Sequence, residues 1–142
     1  PFLDYLTARK AADESVVNSA VLQDDDHLKF KLEANATYFV RLALLVTNGG
    51  GDLDYAFTVP AGTTGRRICW LQDAFGDLFF TADLTTQVFL SGVVRATDLC
   101  VIEALVNTTN AGTLQFRWCQ NSADLSATIL SEGSIMAAWR VR

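Results

Sequence analysis

The sequence predicts an all-β protein, built as an antiparallel sandwich or barrel. Apolar and polar residues alternate along most of the chain, and the apolar positions favour β-branched and aromatic residues. Clusters of Gly, Asn and Asp interrupt this pattern at intervals of about 8–12 residues, as expected between short strands. A length of 142 residues fits one domain and can bury a real core.

The first predicted strands lie between residues 28 and 59. Leu28–Leu32 alternates apolar and charged residues, as a half-buried strand does. Ala36–Thr47 is a long run that is apolar on both alternating faces, so we expect it to be buried on both sides. A helix competes for such a run, but the glycine-rich turn that follows it, Asn48–Asp52, favours a strand that enters a hairpin or loop.

The later strands follow the same logic. They are predicted over residues 53–59, 66–71, 78–82, 87–96, 99–106, 113–119, 126–130 and 135–141. Turn residues separate them at Pro60–Gly62, Asn107–Gly112 and Glu132–Gly133. The chain is therefore predicted to stay β almost to Arg142.

Residues 1–18 differ from the rest of the sequence. Their apolar residues fit a short helix or an extended arm, and they are too few for the segment to fold alone. We therefore divide the chain into an N-terminal arm, residues 1–18, and a β-sandwich domain, residues 19–142.

The apolar content predicts association. Half of the residues are hydrophobic and the mean hydropathy is +0.21, which is high for a monomer of this size. No apolar run approaches the roughly 18 residues that span a bilayer. Burial between subunits explains the excess, since obligate interfaces resemble a core cut in half. The alternative is a monomer with many fully buried strands.

The net charge limits the classes of binding partner that we expect, and the cysteines indicate the compartment in which the chain folds. The net charge of −5 argues against binding a phosphate backbone, so we expect neither nucleic acid nor a membrane as partner. The three cysteines, Cys69, Cys100 and Cys119, have no CxxC spacing, and the N-terminus lacks the features of a signal peptide. We expect folding in a reducing cytoplasm without disulfides.

The sequence offers no convincing catalytic set, and we expect no enzymatic activity, cofactor or metal. The single histidine, His27, follows Asp24–Asp26, which we interpret as a solvated acidic turn; a Ca²⁺ or transition-metal site is the alternative. The tryptophans, Trp70, Trp118 and Trp139, occupy alternating strand positions, so core or subunit packing is favoured over sugar stacking.

Several short motifs are informative through their order and spacing. They are Arg9–Ser15, Leu22–Leu28, Ala34–Tyr38, Phe57–Gly62, Ala111–Asn121, Glu132–Ser134 and Trp139–Val141. Together, over about residues 9–142, they resemble a β domain common in virion proteins of tailed bacteriophages. Cys119 stands where the family pattern has a small residue, and Ile135 where it has an aromatic or leucine nearby; these departures leave the expected fold unchanged.

The resemblance implies a jelly-roll-like β-sandwich that assembles as a homotrimer on the virion surface, either as a capsid decoration protein or as a fibre tip. Fibre tips normally follow a long stalk, whereas eight residues precede the resembling region. A natural start at Pro1 would therefore favour a decoration (cement) protein, assembled in the host cytoplasm, with the major capsid protein as partner. A fragment would fit a fibre tip equally well.

Two sets of candidate site residues follow from these hypotheses. For a decoration protein, we expect Phe2, Leu3, Tyr5 and Leu6 to anchor the arm to the virion. For a fibre tip that binds a host glycan or receptor, we expect recognition by the loops around Asn48 and Asp52 and around Asp73 and Asp77, because loops on a rigid sandwich commonly carry recognition.

Overall fold

The computed structural model describes residues 5–73, 76–90 and 98–141, with side chains described except at residues 71–81, 90 and 98. The described chain consists of strands joined by turns and loops, so the predicted all-β class is confirmed. The strands are β1 (Tyr5–Arg9), β2 (Glu14–Val16), β3 (Gln23–Leu32), β4 (Ala36–Thr47), β5 (Leu53–Thr58), β6 (Thr64–Asp73), β7 (Gly76–Asp83), β8 (Val88–Leu90), β9 (Asp98–Thr108), β10 (Gly112–Cys119), β11 (Thr128–Leu130) and β12 (Ile135–Arg140). Within these described ranges, no helix is long and apolar enough to cross a bilayer.

The strands form two antiparallel sheets with jelly-roll connections. One sheet has the order β3-β10-β5-β8, and the other contains the series β4-β9-β6-β7. The chain from β3 to β10 thus folds back on itself, so that β3 pairs with β10, β4 with β9, and β6 with β7 at the innermost turn. This nested pairing across two sheets is the arrangement of an eight-stranded jelly roll.

The core lies between the two sheets. On β4 the residues that face inward are fully or almost fully buried: Tyr38, Val40, Leu42, Leu44 and Val46. The four-stranded sheet supplies the opposing side, with the rings of Tyr55, Phe57 and Phe116 packed against one another at centroid distances of 5.6–6.1 Å. Alternation along the strands therefore places one face of each in the core.

The described part of the predicted arm consists of strands. β1 pairs with β12, and β12 pairs with β4, so both extend the eight-stranded sheet beyond the jelly roll. β2 pairs with β11, which also pairs with β4. Of the two conformations that fit residues 1–18, the extended one is therefore observed over residues 5–9 and 14–16, and it docks by backbone pairing.

The antiparallel topology sorts the connections into two ends of the sandwich. The connections at one end, which we call the loop end, include the loops at 48–52 and 120–127 and the β6–β7 hairpin. Tyr5 pairs with Trp139, which in turn pairs with Phe39 near the start of β4. The first described residue therefore lies at the opposite end, which we call the N-terminal end.

Candidate functional site

The loop around Asn48 and Asp52 is held in shape by its own side chains. Asn48 Oδ1 accepts hydrogen bonds from the backbone N–H of Gly50 (2.9 Å) and of Asp52 (3.0 Å), while Asn48 Nδ2 donates to Asp52 Oδ1 (2.8 Å). Asp52 has a φ of 54°, in the left-handed region that Asp tolerates better than most residues. A Cβ at Gly51 would lie 2.7 Å from the carbonyl oxygen of Ser122, so glycine allows the loop to pack on the 120–127 segment. The predicted recognition residues thus brace a rigid loop.

Asp73 and Asp77 flank the β6–β7 hairpin. Asp73 is the last residue of β6 and pairs with Gly76, and Asp77 pairs with Gln72. Their backbones lie at the loop end, together with the Asn48–Asp52 loop. Their side chains lie outside the described part of the structure.

Two of the four predicted anchoring residues can be placed, and Phe2 and Leu3 lie outside the described residues. Tyr5 is exposed on β1, with its ring 5.2 Å from that of Trp139. Leu6 points to the other side of the strand and packs against the core. Of the described pair, Tyr5 alone is therefore available to a partner without opening the sandwich.

The outward side of the eight-stranded sheet is unusually apolar, and we call it the outer face. Register places most of its side chains in four rows across β1, β12, β4, β9 and β6, and a polar row, Thr37-Asn107-Thr64, borders them on β4, β9 and β6. The rows are Tyr5-Trp139-Phe39-Leu105-Arg66, Thr7-Ala137-Arg41-Glu103-Ile68, Arg9-Ile135-Ala43-Val101-Trp70 and, on β4 and β9 alone, Leu45-Leu99. The prediction that β4 is buried on both sides is therefore wrong for the single chain, because the second apolar side of β4 belongs to this partly exposed face.

Few charges interrupt the outer face. Arg41 and Glu103 sit opposite each other at its centre, with 3.6 Å between Arg41 Nε and Glu103 Oε1. Glu103 also accepts a hydrogen bond from Trp70 Nε1 at 3.1 Å. A shallow depression of about 260 Å³ is lined by Phe39, Ile68 and Leu105, among others. The outer face is thus an extended apolar surface with a small, internally paired polar centre and two further arginines, Arg9 and Arg66, at its sides.

A buried ionic cluster lies between β1, β2 and β3, where the sequence suggested a solvated turn. Lys10 and Asp25 are both fully buried, and Lys10 Nζ lies 2.7 Å from Asp25 Oδ2 and 2.8 Å from Glu14 Oε2. Asp25 Oδ1 accepts the backbone N–H groups of His27 and Leu28 at 2.9 and 2.8 Å. The interpretation of Asp24–Asp26 as a solvated turn is therefore right about the exposure of Asp24 and Asp26 and wrong about the rest. The three residues belong to β3, at a break in its register with β10 that turns Asp25 inward.

The metal site that the sequence offered as an alternative for this acidic segment would fall in the same cluster. Ligand atoms of Glu14, Asp25 and His27 lie within 4.8 Å of one another, which is close enough for a shared ion. However, the Lys10 ammonium already bonds both carboxylates, so the chain supplies its own cation at this position. An ion would have to displace Lys10, and the arrangement is that of a structural ion-pair network.

The free energy of unfolding should fall in acid because of Asp25. Burial alone would raise the pKa of Asp25, but hydrogen bonds from Lys10, His27 and Leu28 and the charge of Lys10 lower the pKa below its ordinary value of 3.8. The native state thus holds the ionised form more tightly than the unfolded chain does. This contribution is complete above the unfolded pKa and is lost as pH falls through the folded pKa.

Urea unfolding between pH 7 and pH 2 measures this effect. We expect Asp25→Asn to start from a lower stability and to show a flatter decline below about pH 4 than the wild type. An identical acid decline in both proteins would contradict the assignment.

All three cysteines lie inside the sandwich. Cys69, Cys100 and Cys119 are buried and free; burial is expected for Cys69 and Cys100 from their apolar strand positions. Burial raises the pKa of the Cys69 thiol to about 12 and that of Cys119 to about 11, so both remain protonated near neutral pH. They act as small core residues.

Comparisons with known proteins give remote matches only. No family model matches the chain, and no curated protein matches it. Among solved structures, it is similar to the structure of the infectious bursal disease virus Gx strain, with 12% identity and a TM-score of 0.29, over 99% of this chain and 41% of that one. The infectious bursal disease virus VP2 subviral particle gives 8% identity and a TM-score of 0.29, over 96% and 40%.

The chain therefore spans about two fifths of the length of these viral chains. A TM-score of 0.29 describes a loose likeness and carries no functional argument.

Proposed function

We propose that this protein is a structural component of a tailed-bacteriophage virion, a homotrimer that decorates the capsid surface and is attached through its N-terminal segment. Its partners are then further copies of itself and the major capsid protein, and it is assembled in the host cytoplasm. The motifs spread over residues 9–142 support this proposal, and so does the jelly-roll fold, which recurs in viral capsid and lectin domains. The proposal includes no catalytic role.

The separation of the two ends of the sandwich carries the proposal. Tyr5, where the described chain begins, lies at the N-terminal end, whereas the 48–52 and 120–127 loops lie at the loop end. A module held by its N-terminal segment would therefore hold its N-terminal end to the shell and direct its braced loops outward. The sheets between them contain long paired strands, such as β4 and β9, which suits a rigid spacer.

Attachment can be tested with particles that lack the protein. Purified protein is added to such particles, and the bound copies are counted by gel densitometry and located by electron cryomicroscopy. We expect deletion of residues 1–4 to reduce binding at least about tenfold, because the deletion removes Phe2 and Leu3 and leaves β1 in place. Leu125→Ala, at a highly exposed loop position, is the matched control and should bind normally.

Normal binding of the deletion variant would exclude the N-terminal anchor. Failure of the full chain to bind any particle from which it is missing would exclude the decoration role itself.

The second candidate is a fibre tip that binds a host receptor or glycan through the loop end. The observation that favours it is the bracing of the Asn48–Asp52 loop, since preorganised loops bind with less loss of conformational entropy. In this case, saturating protein should block phage adsorption, and the double variant Asn48→Ala/Asp52→Ala should block it less. Unchanged adsorption at saturating protein would reject this candidate.

A further inference from the structure

We infer that the outer face is the surface through which copies of this chain associate, and that the β12 side of one copy packs against the β6 side of the next. The inference rests on the homotrimer of the proposed function and assigns the surface that builds it. It follows from the four rows of side chains described above, from their charges and from the extent of the face.

The two sides of the outer face complement each other row by row. When three copies surround a threefold axis parallel to the strands, the β12 side of each outer face lies against the β6 side of the next. The rotation moves no residue along the axis, so each row meets the same row of the neighbouring copy. In the first row, the exposed ring of Tyr5 and the half-buried ring of Trp139 then meet the guanidinium of Arg66 in the next copy. An arginine over an aromatic face is an attractive pair.

The other rows match in the same way. In the third row the order is reversed, so that Arg9 of one copy meets Trp70 of the next. In the second row, the small side chains of Thr7 and Ala137 leave room for Ile68. The two arginines at the sides of the face, Arg9 and Arg66, are thus matched to aromatic rings, and the small side chains of Thr7 and Ala137 to Ile68.

The charge of the outer face favours a second copy over a strongly charged partner. The face carries Arg9, Arg41 and Arg66 against Glu103, with Asp83 3.9 Å from Arg66 at its border. Three arginines against two carboxylates give the face a net charge of +1, although the whole chain has a net charge of −5. Most of the acidic residues lie elsewhere, so copies can meet here without bringing their excess negative charge together.

The extent of the face also fits. Three rows of five residues and one row of two give 17 positions, and each occupies roughly 33 Å² at about 4.8 Å between strands and about 6.8 Å between rows. That is on the order of 600 Å² for each copy, close to the roughly 800 Å² per partner of a stable protein interface. Covering this face also accounts for the apolar excess of the sequence, which a single sandwich leaves partly in water.

A charge placed in the face tests the inference. Leu105 is 53% exposed in the first row, so Leu105→Asp should leave the fold of each copy intact while placing an unpaired carboxylate in the interface. Leu125→Asp, at a loop position 83% exposed, is the matched control. Multi-angle light scattering gives the mass, and urea unfolding shows whether each variant is folded.

We expect the wild type and Leu125→Asp to have three times the 15.5 kDa chain mass. Leu105→Asp should dissociate at concentrations at least about tenfold higher than the wild type does. A trimeric wild type whose mass survives Leu105→Asp would overturn the surface assignment and leave the trimer standing. A monomeric wild type would overturn both.

Cysteine crosslinking tests the row matching independently. Thr7 and Ile68 lie four strand spacings apart in one copy, about 19 Å, which is too far for a disulfide within the chain. The double variant Thr7→Cys/Ile68→Cys should therefore form covalent dimers and trimers on mild oxidation, whereas either single variant should not. A double variant that stays monomeric on a denaturing gel, although it is trimeric in solution, would overturn the matching.

Discussion

A Lys10→Met variant should lose about 3–5 kcal/mol of unfolding free energy, the largest loss that we expect from a single substitution in this protein. Lys10 Nζ lies 2.7 Å from Asp25 Oδ2, and both side chains are fully buried. Removing the ammonium leaves the Asp25 carboxylate buried, with its charge uncompensated. The penalty for stranding one charge greatly exceeds the small net value of an intact pair.

The surroundings of the pair limit relaxation. Trp118 Nε1 lies 3.3 Å from Asp25 Oδ2, and Gln115 Nε2 donates to the Asp25 carbonyl at 2.8 Å. The backbone of Lys10 is also held, since its N–H donates to Ser134 O at 2.8 Å. The stranded carboxylate therefore has no easy route to water.

Urea unfolding at pH 7 measures the loss. Lys29→Met is the control, because Lys29 is an exposed lysine on β3, the strand that carries Asp25. The control should change stability by less than about 0.5 kcal/mol. The double variant Lys10→Met/Asp25→Leu should recover part of the loss, since it removes the stranded charge. A loss below about 1 kcal/mol for Lys10→Met alone would contradict the role of the pair.

The positions of the strands and the inward side of each could be predicted, because alternation of apolar and polar residues indicates which side of a strand is buried. The run from Ala36 to Thr47 and the alternating stretch from Thr113 to Cys119 coincide with β4 and with most of β10. Pairing partners could not be predicted in this way, because alternation carries no information about which strand lies next to which. The jelly-roll connection was accessible only through the resemblance of several motifs.

The buried charges escaped prediction for a different reason. A charged residue in a strand pattern normally marks the solvent face, and Asp25 lies in a run of three aspartates. Its burial depends on a register break in β3 and on a cation that comes from Lys10, 15 residues earlier in the chain. No local pattern contains both partners of such a pair.

Arg67→Ala should produce the second large loss, about 3–5 kcal/mol. Arg67 lies on the inward side of β6, almost fully buried, and its guanidinium carbon is 4.5 Å from the ring centroid of Tyr55 on the opposite sheet. Its terminal nitrogens donate to the carbonyls of Leu84 (2.7 Å) and Thr86 in the β7–β8 connection. The side chain thus joins both sheets and one connection, and truncation leaves a cavity and two carbonyls without this donor.

The cation itself is the costly part of this arrangement. Burial lowers the pKa of Arg67, which shows that the surroundings disfavour its charge. Arg67→Met fills much of the same volume without a charge, so it should lose clearly less stability than Arg67→Ala. Equal losses for the two variants would mean that the hydrogen bonds to Leu84 and Thr86, and not the filled volume, hold the β7–β8 connection.

Comparing Arg67 with its neighbour Arg66 shows whether the loss of stability depends on burial or on the residue being an arginine. Arg66 has a side chain that is 74% exposed and a loose ion pair of 3.9 Å with Asp83, so Arg66→Ala should change stability by no more than about 0.5 kcal/mol in the separated chain. The two arginines are adjacent in sequence and differ only in the face of β6 that they occupy. If Arg66→Ala and Arg67→Ala lowered the urea midpoint equally, the placement of Arg67 between the sheets would be wrong. We expect Arg66→Ala to weaken association while leaving the unfolding of each copy unchanged. The two variants would then distinguish a residue of the sandwich core, Arg67, from a residue of the surface between copies, Arg66.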